Sequence, residues 1–347
     1  MRSQALLRAW QRRGLLAVAL SPLGVMFRLL VALRRLAYGW GLLRSRGVPC
    51  AVVVVGNVVL GGAGKTPTTI AIVQYLQGRA LRVGVVSRGY GRTDSAVRAV
   101  ASSDDASAVG DEPLLIARAT GAPVWVGRDR HAAAQALLAA HPQVQVLVCD
   151  DGLQHLHLQR DVEVCVFDNR GIGNGWLLPA GPLREPWPGQ YRLSSAKNDT
   201  PQLLVLHTGT HPAFAGFRAT RSLAPVAHSG THRHVRLNAL PGPVLAVAGI
   251  AQPQTFFWAL EAAGVRVEKT LALPDHHSFE DLDVRQFQGF DVVCTEKDAV
   301  KLWQRWPAAW AVPLVQTLEP AFLQALDSRV DAAISTKLSS PHGHQTA

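Results

Sequence analysis

The chain has 347 residues, of which 48% are hydrophobic and 17% are charged, and its aromatic residues are spread along its length. This composition excludes an intrinsically disordered protein, and the length suits about two domains with sizeable cores. The net charge of +10 favours an acidic partner, without choosing among an anionic lipid, a phosphorylated sugar, a nucleotide and a nucleic acid.

The first 48 residues are apolar but are interrupted by many arginines. Their longest charge-free stretch, 14–27, is too short for a helix that spans a bilayer, and Pro22 is expected to break it. No small-residue cleavage site follows the stretch, which argues against a secretory signal. We predict for 1–48 one or two amphipathic helices that lie in the headgroup region of an anionic membrane. The alternative is a helix packed on the protein with its arginines in solvent, and lipid binding would then need another surface.

From Cys50 onward, short apolar runs alternate with helical stretches, a pattern typical of an α/β sheet. A first, larger domain is predicted over 49–200, with buried strands at 51–55, 82–87, 124–126, 145–149 and 162–167 and a helix at 66–77. The scattered cysteines show no C-x-x-C spacing, and we interpret them as small core residues in a reducing compartment. They are Cys50, Cys149, Cys165 and Cys294.

The remaining chain begins with a segment rich in glycine and proline at 170–190, a loop long enough to suggest function. Modest strand runs at 203–206 and 234–237 indicate a linker or β-ribbon over 201–240. A smaller α/β domain is predicted over 241–330, and 331–347 is expected to be a disordered tail. The smaller domain has predicted strands at 244–248, 265–271, 291–295 and 310–315 and a predicted helix at 253–263.

The strongest chemical signal is a hydrophobic strand followed by the turn G-G-x-G-K-T at 61–66 and then by a helix. The bare backbone N–H groups of such a turn wrap phosphate oxygens, and the positive end of the helix faces the anion. Lys65 would neutralise the β- and γ-phosphates, and the Thr66 hydroxyl would ligate Mg²⁺. The match to G-x-x-x-x-G-K-[ST] is imperfect because Val59 occupies the first glycine position. The predicted nucleotide-binding residues are Val59, Leu60, Gly61, Gly62, Ala63, Gly64, Lys65 and Thr66.

A nucleotide site of this kind needs a carboxylate at the end of a neighbouring strand, and the strand at 146–149 ends in Asp150 and Asp151. His155 follows at the same sheet edge. Three further clusters hold acid or base candidates, although each alone is more often a helix cap or a surface pair. A histidine beside a carboxylate can draw a proton from a sugar hydroxyl near neutral pH. These clusters are G-D-E-P at 110–113, R-E-P at 184–186 and D-H-H at 275–277.

Together, the ordered motifs resemble those of the tetraacyldisaccharide 4′-kinase family, which makes lipid IVA in the lipid A pathway of Gram-negative bacteria. The resemblance covers about 15–320 and rests on a set of blocks far more specific than any one of them. The blocks are G-N-x-x-x-G-G-x-G-K-T-P from 56, S-R-G-Y-G-R from 87, G-D-E-P from 110, D-D-G-L-Q-H from 150, G-P-L-R-E from 181, V-A-G-I from 247 and T-E-K-D from 295.

The resemblance implies an α/β protein: a P-loop core with an N-terminal membrane-associated helix, joined by a β-ribbon to a smaller α/β domain. It implies ATP and Mg²⁺, an acylated glucosamine disaccharide 1-phosphate as substrate, and the cytoplasmic face of the inner membrane. Neither a nucleic acid nor an obligate protein partner is expected. The implied catalytic residues are Asp111, His276 (with His277 as the alternative) and Lys65; the metal shell is Thr66, Asp150, Asp151 and Glu185; the substrate contacts are Arg184, His155 and Asp275.

Three other functions are compatible with parts of the pattern. A regulatory P-loop NTPase that acts as a binding switch commonly carries a lysine just before G-G-x-G-K-T, where this chain has Leu60. A GTPase is suggested by T-E-K-D, although its lysine is displaced by one residue from the guanine-reading [NT]-K-x-D. A nucleic-acid enzyme fits the positive charge, but arginines in an apolar segment suit a bilayer surface better.

Overall fold

The computed structural model describes residues 10–92, 94–188, 202–275 and 277–339, and within these ranges the strands form two sheets. The helices are α1 Leu15–Gly39, α2 Lys65–Gly78, α3 Ala106–Val109, α4 Asp111–Thr120, α5 Arg130–Ala140, α6 Pro253–Ala262, α7 Glu296–Leu302 and α8 Pro320–Ser339. The strands are β1 Ala51–Gly56, β2 Val83–Ser87, β3 Arg98–Val100, β4 Val124–Val126, β5 Val146–Asp150, β6 Val162–Phe167, β7 Gln202–His207, β8 Phe217–Leu223, β9 Val226–Ser229, β10 His234–Arg236, β11 Val244–Ala248, β12 Val267–Ala272, β13 Asp291–Thr295, β14 Trp310–Val312 and β15 Leu314–Leu318. Short 3₁₀ turns lie at Leu237–Ala239 and Val284–Phe287.

The large lobe is built on a nine-stranded sheet in the order β15-β8-β7-β6-β1-β5-β2-β4-β3, with a parallel centre. Its central strands are runs of valine because helices cover both faces of the sheet. Val53 and Val55 pack under α2, α4 and α8, whereas Val52 and Val54 pack on the α5 side. The carboxyl ends of β1, β2 and β5 therefore meet at one edge, where the glycine-rich turn and Asp150 lie.

The small lobe is a six-stranded sheet in the order β10-β9-β14-β13-β11-β12. Two neighbouring strand pairs join the lobes: β8 and β15 are antiparallel in the large sheet, and β9 and β14 are antiparallel in the small one. The predicted strand at 310–315 is divided at Pro313, with one half in each sheet. A ribbon is therefore present, but half of it comes from 310–318 and not from 201–240.

The predicted domain boundaries differ from the structure at the C-terminal end. β7 and β8, predicted as linker, are strands of the large sheet, and β15 and α8 return to the large lobe. The prediction of a disordered tail was wrong for 331–339, because α8 continues to Ser339 and buries Val330 and Ala333 against the large sheet. Residues 340–347 lie outside the described ranges.

The prediction that Pro22 breaks the N-terminal helix was also wrong. α1 runs through Pro22, and the carbonyl of Val18, which Pro22 cannot satisfy, accepts a hydrogen bond from the Ser21 hydroxyl at 2.7 Å. The helix is long and apolar enough to cross a membrane by length and composition, a test that buried core helices and signal sequences also pass. It packs on the protein near Gly24, whose Cα faces Ala180.

All four cysteines are free and buried, as predicted. Burial raises the pKa of Cys50 to about 12 and that of Cys149 to about 11, so neither thiol is ionised near neutral pH.

Candidate active site

The glycine-rich turn connects β1 to α2 and is shaped for an anion. Gly61 and Gly64 have φ values of +99° and +88°, which other residues rarely adopt, and Gly64 caps α2 in the left-handed conformation. Pro67 stands in the first turn of α2, where its missing N–H leaves no bond unmade. Within the described part of the chain, no acceptor meets the backbone N–H groups of 61–66. These N–H groups are therefore available to phosphate oxygens.

The entry to this turn is fixed by two neighbouring segments. The Asn57 side chain donates to the carbonyls of Val59 and Gly61 at 2.6 and 3.1 Å. The G-P-L-R-E segment lies alongside: Leu60 N–H donates to the Pro182 carbonyl at 2.8 Å, and Arg184 N–H donates to the Val58 carbonyl at 2.7 Å. Val59, which replaces the expected glycine, is buried, and it pairs with Leu183. The valine thus serves in a short β-bridge.

Two consecutive aspartates follow β5, the neighbour of β1. Asp150 is fully buried; its Oδ1 accepts from the Thr69 hydroxyl at 2.7 Å, and its Oδ2 has no partner among the described residues. Burial, and then the nearby carboxylate of Glu112, raise the pKa of Asp150 to about 7. Asp151, with φ of +47°, lies 3.7 Å from the Nζ of Lys65. The carboxylates of Glu112, Asp150 and Asp151 therefore lie near one another at the start of α2, beside Lys65.

The two residues of the R-E pair face in different directions. Arg184 Nη1 lies 3.2 Å from Asp151 Oδ1 and also donates to Gln154 at 3.2 Å. Glu185 is buried and forms an ion pair with Arg35 of α1. Arg184 thus belongs to the carboxylate cluster, whereas Glu185 joins the N-terminal helix to this loop.

His155 is engaged in holding the start of α5. Its Nε2 accepts the Arg130 N–H at 3.2 Å, and burial, followed by the charge of Arg130, lowers its pKa to about 4. The Asp129 carboxylate caps α5 through the N–H of His131 and also contacts the ring of His157 at 3.1 Å. Ligand atoms of Asp129, His155 and His157 all lie within 4.8 Å of one another. Because Asp129 and His155 already accept N–H groups, we interpret this cluster as structural.

Asp111 begins α4 on the large lobe and contacts the small lobe directly. The Nζ of Lys301, in α7, lies 2.6 Å from Asp111 Oδ2 and 3.2 Å from the carbonyl of His277. Asp275 pairs with Lys297 at 3.0 Å. His276 lies outside the described residues. The structure therefore brings Asp111 and His277 onto the same lysine, at the junction between the two lobes.

The T-E-K-D segment has a structural explanation that differs from guanine recognition. Thr295 caps α7 by accepting the Asp298 N–H at 3.2 Å. The buried Asp298 carboxylate accepts from the Thr295 hydroxyl at 2.7 Å and from the Gly249 N–H at 3.0 Å. Thr295 thus caps α7, and Asp298 links the ends of β11 and β13, which leaves the GTPase interpretation without support.

A parallel sheet that delivers an open glycine turn and paired carboxylates to one edge defines an α/β protein of the P-loop nucleotide-binding class. Comparison with known proteins makes the assignment specific. The chain belongs to the tetraacyldisaccharide-1-P 4′-kinase family, whose model matches residues 16–331. The predicted family is thereby confirmed, and a binding switch is not favoured.

Relatives and a solved structure agree with this assignment. Tetraacyldisaccharide 4′-kinase of Acidovorax sp. (strain JS42) is 52% identical over 331 residues, which cover 94% of this chain and 95% of that protein. The protein of the same name from Polaromonas naphthalenivorans (strain CJ2) is 51% identical over 348 residues, 99% of both chains. The crystal structure of LpxK from Aquifex aeolicus in complex with ATP superposes with a TM-score of 0.77 at 26% identity, covering 91% of this chain and 99% of that one. The predicted fold class is confirmed.

Sequence reasoning missed several residues of the site. Glu112 lies in the G-D-E-P motif but was not predicted to have a role of its own, and Thr69 lies three residues after Thr66 on α2. The remaining residues lie outside the motifs and come from segments distant in sequence; they are Arg170, Thr208, Arg221 and Lys301.

Proposed function

We propose that this chain transfers the γ-phosphoryl group of ATP to the 4′-hydroxyl of an acylated glucosamine disaccharide 1-phosphate. The observation that carries the proposal is the turn at 61–66, whose N–H groups have no described acceptor and which lies beside the carboxylates of Asp150 and Asp151. A triphosphate needs N–H donors of this kind, and its metal ion needs such carboxylates.

The oxygen donors at the start of α2 fit Mg²⁺, a hard cation that prefers carboxylates, hydroxyls and water. Thr66 and Asp150 are the proposed ligands, since the buried Oδ2 of Asp150 has no described partner. Asp151 lies close by. The place of Glu185 in the metal shell stays a prediction; in this structure its carboxylate is paired with Arg35. When bound, Mg²⁺ neutralises charge on the β- and γ-phosphate oxygens.

In the proposed reaction, the residues of this chain hold the phosphates and move one proton. Lys65 and the N–H groups of the turn stabilise the negative charge on the transferring group. His276, oriented by Asp111, accepts the proton of the sugar hydroxyl. Support comes from Lys301, which contacts both Asp111 and the carbonyl of the residue after His276. Because Asp111 and His276 belong to different lobes, the reaction depends on how the two lobes close.

The proposed substrate is a lipid, and α1 offers a surface that can contact the membrane containing it. Apolar side chains of α1 are exposed, and Arg28 and Arg34 stand among them. Such a helix is suited to the boundary between acyl chains and anionic headgroups, at the cytoplasmic face of the inner membrane. The exposed apolar residues are Leu15, Leu16, Val18, Leu23, Val25, Met26, Leu29, Leu30 and Leu33.

The test is transfer of ³²P from ATP to the acylated disaccharide by purified variants. We expect Lys65→Ala, Asp111→Asn and His276→Ala to lose at least about a hundredfold in turnover. Lys269→Ala is the matched control, because Lys269 is an exposed lysine on β12. Wild-type turnover in Asp111→Asn and His276→Ala would remove the proposed base, and wild-type turnover in Lys65→Ala would remove the nucleotide site.

A further inference from the structure

We propose that Arg221, on β8 and outside the glycine-rich motif, is a positioning residue of the nucleotide site. It holds the phosphate turn with its N–H groups inward. It also supplies a positive charge that has no ion-pair partner among the described residues and that the bound triphosphate would balance. The proposal rests on the nucleotide site of the proposed function.

The first observation is that every backbone carbonyl from Val59 to Gly64 accepts a hydrogen bond from a side chain. Asn57 and Thr68 serve three of these carbonyls from within or near the motif, Thr68 donating to Gly64 at 2.8 Å. Arg170 donates to the carbonyls of Leu60 and Gly62 at 3.3 and 3.2 Å. Because successive peptide units of the turn place N–H and C=O on opposite sides, fixing the carbonyls outward fixes the N–H groups inward.

Arg221 completes this arrangement at Ala63, the last peptide unit before Gly64. Its Nη2 donates to the Ala63 carbonyl at 2.8 Å, and the Thr208 hydroxyl donates to the same oxygen at 2.9 Å. Its Nε donates to Gln316, whose amide donates in turn to the Thr68 hydroxyl at 2.7 Å. The guanidinium is therefore held from two sides against the start of α2.

The contact with Gly64 is very close. A Cβ built on Gly64 would overlap with Arg221 Nη2. The guanidinium thus occupies the space that any side chain at position 64 would need, directly behind the N–H groups that face the anion.

The positive charge of Arg221 has no ion-pair partner among the described residues. Both of its described acceptors, the Ala63 carbonyl and the Gln316 amide, are neutral, and no described carboxylate lies within ion-pair distance. Asp168 is near enough to favour the charged form, but its carboxylate is already paired with Arg170 at 2.8 Å. Burial lowers the pKa of Arg221 to about 10, so the side chain is still a cation at neutral pH.

A largely buried cation with neutral partners is unfavourable for folding unless an anion accompanies it. The anion that the neighbouring turn is shaped to hold is a nucleoside triphosphate. Arg221 therefore stabilises the nucleotide-bound protein and destabilises the protein without nucleotide. Removing its charge should change the Tm in opposite directions in the two states.

The test compares Arg221→Gln with the wild type in thermal unfolding, with and without MgATP. We expect the Tm of Arg221→Gln without nucleotide to equal or exceed that of the wild type, because an unbalanced buried charge has been removed. The rise in Tm on adding MgATP should shrink by more than half. The KM for ATP should increase about tenfold or more, while the KM for the acylated disaccharide stays within about twofold.

Two further variants keep the test decisive. Arg221→Lys retains the charge and should recover part of the ATP affinity, which a purely structural role would not give. Arg118→Gln, an exposed arginine that donates to the Ser102 carbonyl from the far end of α4, is the matched control and should leave the KM for ATP unchanged.

A lower Tm in Arg221→Gln without nucleotide, together with an unchanged rise on adding MgATP, would overturn the proposal and make Arg221 structural. Failure of the wild type itself to bind MgATP would instead overturn the proposed function. The two failures are thereby distinguishable.

Discussion

Lys301 of the small lobe reaches Asp111 of the large lobe, with 2.6 Å between Nζ and Oδ2, and both side chains are largely buried. The same Nζ also donates a hydrogen bond to the His277 carbonyl at 3.2 Å. Lys301 therefore links the candidate acid–base segment to the large lobe.

Replacing Lys301 with methionine should lower the free energy of unfolding by about 2 kcal/mol, because the Asp111 carboxylate would lose its ion pair with the Lys301 ammonium group. The loss should be smaller in the Asp111→Asn background, with a coupling energy of at least about 1 kcal/mol in a double-mutant cycle. Denaturant unfolding measures both quantities. Lys297→Met is the control on the same helix, because its more exposed pair with Asp275 should contribute less than about 1 kcal/mol. Strictly additive losses would contradict the ion pair.

Glu296 makes the stability of the small lobe depend on pH. Burial raises the pKa of this glutamate to about 7 from 4.5, so the folded protein holds the proton more tightly than the unfolded chain. Stability should therefore fall as pH rises from about 4.5 to 7 and should change little from this group above that range. Glu296→Gln removes the effect and should raise Tm at pH 8 but not at pH 4. Equal shifts in Tm at the two pH values would contradict this explanation.

Gly64 and Gly62 should differ in their tolerance of a methyl group. Gly64→Ala should destabilise the protein by about 1–3 kcal/mol, because φ is +88° and the new Cβ would meet Arg221. A Cβ at Gly62 would meet only Ala251 Cβ at 3.7 Å, so Gly62→Ala should cost less than about 1 kcal/mol. Denaturant unfolding without nucleotide compares the two variants. Equal destabilisation would show that the guanidinium does not occupy this space in solution.

The exposed apolar face of α1 should govern binding to lipid. We expect Leu29→Gln with Leu33→Gln to weaken partition onto vesicles that contain phosphatidylglycerol by about tenfold or more, because two leucines no longer enter the bilayer boundary. Vesicle sedimentation measures the bound fraction. Leu338→Gln alters an equally exposed leucine on α8 and should have no effect. Wild-type binding by the double variant would assign membrane contact to another surface.

The sequence allowed prediction of the parts of the site that are local in the chain. The turn at 61–66 and the aspartates after β5 can be recognised from short runs of consecutive residues, because a strand, a turn and a helix must follow one another to build such a site. Apolar runs likewise predicted most strands of both sheets, although β3, β8 and β9, which carry weaker apolar runs, were missed. The family resemblance added the order of the motifs.

The remaining features depend on the approach of distant segments, and no local pattern marks them. Arg221 looks like any polar residue of an antiparallel strand until β8 is placed beside the phosphate turn. Lys301 looks like the last-turn lysine of a helix until α7 meets α4. Pro22 is the opposite case: a local rule predicted a break, and the neighbouring Ser21 hydroxyl satisfied the carbonyl that the proline had freed.

Phosphoryl transfer to the lipid can be tested directly by identifying the product that the purified protein makes from [γ-³²P]ATP, Mg²⁺ and the acylated disaccharide 1-phosphate. We expect a labelled bisphosphorylated lipid with the new phosphate on the 4′-oxygen, located by mass spectrometry. Release of labelled inorganic phosphate with no label in the lipid would contradict it.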